Sequence, residues 1–371
     1  MTRAAPTLAE LRRFAVHRSL RAPTTLARAL GRLGFVQADP IRAPARAQDL
    51  ILMQRVKDYR AGDLEQRYAE LAVEEDFFVN YGFVAPALSA LMHPRSGLDH
   101  HSRARAKKAD EVLAFVHASG AAHPRDVERH LGGGKEKNYW GGSSNLTTRL
   151  LDALHYRGQL RVVRREAGIR VYAPAPARAF ESTVDASVDA LIDVAVNKYA
   201  PLPAPSLGML VGRLRYAAPQ WRGELRRGLA RAKERLSRAH VDGVDWFWPA
   251  GEDVRGAANR GARAELAGRV RLLSPFDPVV WDRRRFELFW GWAYRFEAYT
   301  PVKKRKLGYY ALPLLWGEHA IGWANLTHDA NGLASTLGYV AGKPPRGSAF
   351  RRALEDELGR FERFLTPRKP R

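Results

Sequence analysis

Residues 109–175 contain three helix-like runs and a strand-like pair, in the order ADEVLAFVHASG (109–120), HPRDVERHLGG (123–133), SSNLTTRLLDALHYRG (143–158) and QLRVVRREAGIRVYAPA (159–175). The first three runs each end in glycine, as helices commonly do. The fourth alternates on both sides of Ala167-Gly168, which indicates a β-hairpin. Three helices followed by a hairpin is the order of a winged helix-turn-helix, so the sequence predicts such a unit at residues 105–178.

The same order of elements is predicted on both sides of this unit. Residues 179–266 contain helix-like runs that end in a long basic one, ELRRGLARAKERLSRAH (224–240), and then an extended run, VDWFWPA (244–250). The N-terminal segment opens with a capping box between Thr7 and Glu10 and continues with helix-like runs. We therefore predict a first winged-helix unit at residues 1–100 and a third at 179–266, similar in element order and not in residues.

The chain changes character after Gly268. Strand-like runs rich in aromatic and β-branched residues are separated by turns, and they read RVRLLSP, YRFEAYTP, GYYALPLLW and HAIGWANLT. A final helix-like run, AFRRALEDELGRFERFL, ends the chain. We predict a C-terminal antiparallel β-barrel with a closing helix at residues 267–371, and an α+β fold overall.

The charge balance predicts a polyanionic partner. Lys and Arg number 61 against 39 Asp and Glu, a net charge of +22. Cations that neutralise phosphates release condensed counterions, so nucleic acid is the first candidate partner and an anionic membrane surface the second. The sequence has no cysteine, no apolar run long enough to span a membrane and no secretory signal at its start. We expect no membrane partner and a cytoplasmic location.

The segment FVQADPI (35–41) carries the strongest local indication of chemistry. Asp39 precedes Pro40, which disfavours helical geometry at Asp39, so Gln37 and Asp39 would share one face of an extended backbone. A carboxylate can accept a proton from water while an amide orients the same water. The spacing by itself more strongly favours a turn at Asp39-Pro40 with a solvated Gln37.

Other patterns point to ordinary structure. Gly132-Gly133-Gly134-Lys135 resembles a phosphate loop, but no apolar strand precedes it. The histidines lack partners at ligand spacing, so we expect neither a metal nor a cofactor. Trp140, before a basic helix, is the best placed tryptophan for contacting DNA, although burial is the commoner role for this residue type.

The chain resembles the AlkZ/YcaQ family of bacterial DNA glycosylases, which are also catalogued as winged-helix DNA-binding proteins. The resemblance is most specific at LLSPFDPVVWDRRRFELFWGWAYRFEAYTPVKKRKLGYYALPLL (272–315). GFVQADPI (34–41) is similar to the family's QxD or QxQ catalytic motif, and GQLRVVRREAGIRVYAP (158–174) is similar to a wing. The resemblance implies three winged-helix units, a β-barrel and DNA held in a basic channel.

By this resemblance, Gln37 and Asp39 are the catalytic residues of the QxD branch. The implied activity is hydrolysis of the N-glycosidic bond of N-alkylated purines in double-stranded DNA, and in some relatives the unhooking of interstrand crosslinks. The motif contains no lysine, which favours a monofunctional enzyme without lyase activity, and we expect a nucleoid-associated monomer. The residues predicted to contact DNA are Arg42, Asn80, Trp140, Arg149, Arg164, Arg165, Arg170, Lys303 and Lys304.

Two departures from the family keep a second interpretation open. Asn80 and Tyr81 stand where relatives carry His and Glu, and Asn325 and Thr327 replace two charged residues. A non-enzymatic winged-helix DNA-binding protein, either a regulator or an inactive paralogue, is the alternative function.

Overall fold

The structure is a computed structural model that describes residues 5–96, 103–132, 134–137, 143–180, 182–256 and 267–367. The chain forms two compact units. Unit 1 comprises Met1–Asp63, Ile192–Val211 and Leu229–Arg371, and unit 2 comprises Leu64–Leu191 and Gly212–Gly228. No helix in the described ranges is both long and apolar enough to cross a membrane.

The secondary structure mixes helices with antiparallel strands. The helices are α1 (Leu8–Ser19), α2 (Leu26–Leu33), α3 (Ala47–Met53), α4 (Asp63–Gln66), α5 (Pro86–Met92), α6 (Arg103–Ser119), α7 (Pro124–Leu131), α8 (Leu146–Arg157), α9 (Val184–Tyr199), α10 (Ala204–Ala217), α11 (Leu225–Arg235), α12 (Arg283–Trp290) and α13 (Ser348–Leu365). The strands are β1 (Phe35–Gln37), β2 (Glu74–Phe77), β3 (Tyr81–Val84), β4 (Lys135–Lys137), β5 (Ser143–Asn145), β6 (Leu160–Glu166), β7 (Ile169–Pro174), β8 (Leu202–Pro203), β9 (Ser237–Val241), β10 (Val244–Trp248), β11 (Val270–Leu272), β12 (Leu312–Trp316), β13 (His319–Asp329) and β14 (Gly332–Tyr339).

The N-terminal helices form as their caps predict. The Thr7 side chain accepts from the Glu10 N–H, and the Glu10 carboxylate accepts from the Thr7 N–H, so the predicted capping box is confirmed. α2 ends at Gly34, whose φ of 63° is costly for a residue with a side chain. This reversal directs the chain into β1, the short strand that ends at Gln37.

In unit 2, α6, α7 and α8 are followed by the hairpin β6–β7, in the predicted order. Ala167 and Gly168 both have positive φ, as a two-residue hairpin turn of type I′ requires. α6 and α7 pack on α8, and α8 packs on β6. Leu150, Leu151 and Leu154 form the buried face of α8.

The prediction of a long basic helix at residues 224–240 is wrong for the last part of that range. α11 stops at Arg235, and β9 pairs antiparallel with β10. Asp242 and Gly243 supply the turn, with φ values of 50° and 76°. An Asp-Gly pair favours a tight hairpin, and pairing with β10 overrides the helix propensity of the residues before it.

The predicted C-terminal barrel is not found among the described residues. β11, β12, β13 and β14 form an open antiparallel sheet in that order, with β11 and β14 at its edges. The physical reason is that α13 packs on both edge strands and buries Phe350, Leu354, Phe361 and Phe364. A helix thus covers the sheet where a barrel would need further strands.

The strand predicted at YRFEAYTP is also absent, while β14 was not anticipated. Residues 294–301 form an irregular segment instead. The buried Glu297 carboxylate accepts from the N–H groups of Lys306 at 2.8 Å and Leu307 at 2.7 Å. These bonds fold the chain back into a loop, and an extended strand cannot form.

A buried ion pair holds the core of unit 1 together. The Arg55 guanidinium donates to the Asp277 carboxylate at 2.7 Å and 3.0 Å, and also to Ser19 and to the Ile51 carbonyl. Asp277 has no exposed surface, and its Oδ1 also accepts from the Val279 N–H. This pair joins the N-terminal helices to residues 272–315.

We expect Asp277→Asn to lower the free energy of unfolding by about 3–5 kcal/mol, because the Arg55 charge is then left buried without its counter-charge. Asp193→Asn is the matched control, since Asp193 pairs with Arg235 in unit 1 but both side chains are partly exposed. Its loss should cost less than about 1 kcal/mol. Urea unfolding followed by tryptophan fluorescence measures both values, and equal losses in the two variants would contradict the prediction.

Candidate active site

Gln37 lies at the end of β1, where its side chain is 6% exposed. Its Oε1 accepts a hydrogen bond of 3.0 Å from the indole N–H of Trp281. Trp281 in turn packs against Tyr199, with ring centroids 4.9 Å apart. The indole therefore fixes the orientation of the Gln37 amide. A solvated glutamine would have no such fixed orientation.

Asp39 is half-buried and begins a turn. Its Oδ1 accepts from the Ile41 N–H at 2.9 Å. The turn interpretation of Asp39-Pro40 is thus right for the backbone, but its companion, a solvated Gln37, is wrong. Burial raises the pKa of Asp39 above the ordinary value, and the Ile41 hydrogen bond opposes this rise. A carboxylate with a raised pKa is a stronger base than an exposed one.

Two tyrosines lie within electrostatic reach of Asp39, and the sequence did not single them out. The Asp39 charge adds to the effect of burial in raising the pKa of Tyr299 and that of Tyr310. Both rings pack edge-on against Phe296. The Asp39 charge is therefore felt by two aromatic side chains of residues 272–315, and their place in that segment is the sequence signal for them.

Lys198 is a buried amine that sequence reasoning missed. It is 7% exposed, and its Nζ donates to the carbonyl of Phe35, two residues before Gln37. The pKa of Lys198 is lowered to about 7, mainly by burial and also by the nearby Arg55 charge, while the Asp277 charge opposes the change. A single lysine within the apolar helix α9 was the only sequence signal.

The cations predicted near the motif are exposed. Arg42 follows Asp39 by three residues, and Lys303 and Lys304 lie on a short 3-10 helix, Val302–Lys304. None of the three forms an ion pair with a described residue. They remain available to an anionic partner.

Arg165 and Arg170, by contrast, are tied into unit 2. Arg165 donates twice to the Glu75 carboxylate, at 2.7 Å and 2.5 Å, and is only 12% exposed. Arg170 pairs with Asp152 at 3.0 Å and lies over the ring of Tyr81. The Tyr81 hydroxyl donates to the same Glu75. These two arginines support the hairpin β6–β7 from within.

The remaining predicted DNA contacts lie in separate places. Asn80 is in the turn between β2 and β3, and Arg149 is on α8, half-buried. Arg164 is exposed on β6 and pairs with Glu166 at 2.7 Å. Trp140 lies outside the described residues, as does Gly133 of the glycine run.

Asn325 and Thr327, the two positions where relatives carry charged residues, differ in their environment. Asn325 on β13 donates to the Leu307 carbonyl at 2.7 Å and so supports the loop before β12. Thr327 is exposed on the same strand. The polar group at 325 therefore has a structural partner in this chain.

The described residues contain no group of three or more histidine and carboxylate side chains arranged to hold a metal ion. Buried and half-buried carboxylates of unit 2, which could otherwise serve as metal ligands, form ion pairs with arginine. Asp76 pairs with Arg95 at 2.8 Å, and Glu74 pairs with Arg178 at 2.6 Å.

The comparisons with known proteins concern the family and the fold of the chain. The profile of the AlkZ-like DNA glycosylase family matches residues 30–364, which include both Gln37 and Trp281. The Streptomyces sahachiroi DNA glycosylase AlkZ is similar in structure, with a TM-score of 0.62 at 14% sequence identity over 97% of each chain. The family match spans most of the sequence, and the chain belongs to the AlkZ-like family of DNA glycosylases.

Proposed function

We propose that this chain is a monofunctional DNA glycosylase that hydrolyses the N-glycosidic bond of N-alkylated, cationic purines, with Gln37 and Asp39 as its water-activating pair. The observation that carries the proposal is the hydrogen bond from Trp281 to Gln37, beside a half-buried Asp39. It holds the amide of the motif in one orientation, as a residue that positions water requires.

The chemistry needs little beyond these two side chains. An N7-alkylated purine carries a positive charge and departs as a neutral base when its bond to C1′ breaks. The sugar then resembles an oxocarbenium ion, which a carboxylate stabilises. Water attacks C1′, and Asp39 accepts the proton that water loses. A purine crosslinked through the same nitrogen has the same leaving group, so crosslinks fall within the proposed substrate class.

The half-buried setting of Asp39 suits a base. Burial raises its pKa, which strengthens the carboxylate as a proton acceptor. The Gln37 amide can contribute a donor and an acceptor, and Trp281 already bonds its oxygen.

We further propose winged-helix units at residues 1–100, 105–178 and 179–266, and a C-terminal domain of sheet and helix at 267–371. The order of α6, α7, α8 and the hairpin β6–β7 supports the second unit, and the hairpin β9–β10 after α11 supports the third. The proposed DNA contacts are the exposed cations Arg42, Arg164, Lys303 and Lys304, together with Asn80, Arg149 and Trp140. Arg165 and Arg170 stay among the proposed contacts, and their ion pairs with Glu75 and Asp152 also support the hairpin β6–β7.

We expect Asp39→Asn to lower kcat for release of 7-methylguanine from duplex DNA by about 10²- to 10⁴-fold, because the base that accepts the proton of water is lost. Burial disfavours the ionised carboxylate, and an amide can still accept from the Ile41 N–H, so the fold is retained. Release of the free base and DNA affinity are measured on the same duplex, and affinity should change by no more than about threefold.

Asp253→Asn is the matched control, since the exposed Asp253 accepts from the Arg255 N–H at 2.9 Å, the same local hydrogen bond. Its kcat should equal that of the wild type. In the wild type, kcat should rise with pH through a pKa above the ordinary aspartate value of about 3.9, and Asp39→Asn should remove this rise. A wild-type protein that binds DNA but releases no cationic purine is a DNA-binding protein and no glycosylase.

Trp281→Phe keeps a ring against Tyr199 but removes the N–H that bonds Gln37. We expect kcat to fall about 10-fold with KM unchanged, because one hydrogen bond that orients the amide is lost. Trp316→Phe is the control, since the buried Trp316 indole nitrogen has no hydrogen-bond partner among the described residues. Equal effects in the two variants would show that the Trp281 bond does not act on the reaction.

We expect no Schiff-base intermediate, because the Lys198 amine is buried and bonded to the Phe35 carbonyl. Borohydride added during turnover should therefore trap no protein–DNA adduct, and the product strand should stay intact until it is heated in alkali. An adduct that disappears in Lys198→Met would contradict monofunctional hydrolysis.

A further inference from the structure

Residues 298–309, AYTPVKKRKLGY, form an exposed loop that we call the tyrosine loop. Tyr299 is 76% exposed and Val302 is 74% exposed, the two highest values among the large apolar side chains of the described residues. Tyr309 in the same loop is exposed as well. Apolar side chains clustered in water commonly mark a binding surface.

The exposure of these side chains does not come from a frayed loop. The Arg305 Nε donates to the Thr300 carbonyl at 2.8 Å, across the turn that carries Val302. The Arg305 guanidinium also lies over the Tyr309 ring, 5.0 Å from its centroid. Arg305 thus stabilises the loop from its inner side. Tyr299 and Val302, which we call the apolar tip, remain exposed to solvent.

The base of the loop is fixed as firmly. The Glu297 carboxylate accepts from two backbone N–H groups of the loop, and Asn325 donates to the Leu307 carbonyl. Gly308 has a φ of 117°, and a Cβ there would come within 2.5 Å of the Asn325 side chain. The tip is therefore held in place before any partner arrives, which limits the entropy lost on binding.

The surroundings of the tip are complementary to DNA. Lys303 and Lys304 follow Val302 directly, are exposed and form no ion pair with a described residue. Besides burial, the Asp39 charge raises the pKa of Tyr299, which puts the loop in the neighbourhood of the QxD motif. An apolar tip with cations beside it fits a stack of bases between two phosphate backbones.

We propose that Tyr299 and Val302 insert into the base stack of duplex DNA next to the lesion, while Lys303 and Lys304 contact the flanking phosphates. The position next to the lesion rests on the proposed role of Asp39, whereas insertion into duplex DNA does not. Insertion opens the stack at the damaged purine and exposes its C1′ to the water held by Gln37 and Asp39.

The test uses the full-length protein and a duplex with 7-methyl-7-deazaguanine, which has no cationic leaving group, beside 2-aminopurine. Unstacking raises 2-aminopurine fluorescence, so saturating wild-type protein should increase it several-fold. In the double variant Tyr299→Ala, Val302→Ala the increase should vanish, and affinity should fall about 10-fold or more. Val340→Ala, at an exposed valine outside the loop, is the control and should match the wild type.

Two further variants separate insertion from simple contact. Tyr299→Phe keeps the ring and should keep the fluorescence increase. The double variant Lys303→Ala, Lys304→Ala should keep the increase at saturation but make the slope of log affinity against log salt shallower by about 1.8. Both sets of side chains are exposed, so circular dichroism should match the wild type.

The proposal is overturned if the wild type gives no fluorescence increase, or if Tyr299→Ala, Val302→Ala retains it at saturation. Excision of 7-methylguanine is measured separately. A protein that raises the fluorescence but excises nothing supports the insertion and overturns the glycosylase proposal alone.

Discussion

Arg55 and Asp277 form a buried ion pair between two segments 222 residues apart, and the geometry of unit 1 depends on it. The backbone carbonyl of Asp277 accepts from the backbone N–H of Trp281 at 2.7 Å, so the position of the aspartate helps to determine where the tryptophan lies. Trp281 then bonds Gln37. A buried charge requires its partner, so this pair constrains the core more strictly than apolar contacts do.

Burial also tunes the groups near the QxD motif. It raises the pKa of Asp39 and lowers that of Lys198, because a weakly polar environment disfavours the charged form of either group. The same effect produces a stronger base from the carboxylate and a partly neutral amine from the lysine. Only Asp39 is open enough to meet water, while Lys198 is enclosed and bonded to Phe35.

The surplus of basic residues serves two purposes. One group of arginines is bound to carboxylates or rings of the protein itself, where the planar guanidinium can make several hydrogen bonds at once. This group includes Arg55, Arg165 and Arg170. Lys303 and Lys304 stay in water. The net charge therefore indicates a polyanionic partner, but it does not identify which cations meet that partner.

The sequence by itself determined the capping box at Thr7, the glycine stop at Gly34 and the turn at Ala167-Gly168. These depend on backbone preferences within a few residues. The tertiary structure decided that Ser237–Val241 is a strand, that α13 covers an open sheet, that Trp281 orients Gln37 and that Arg165 is paired with Glu75. The last three depend on partners distant in the chain, up to 244 residues away for Trp281 and Gln37, so the local sequence does not indicate them. The strand Ser237–Val241 depends instead on pairing with β10 across the Asp242-Gly243 turn, and this pairing overrides the helix propensity of its residues.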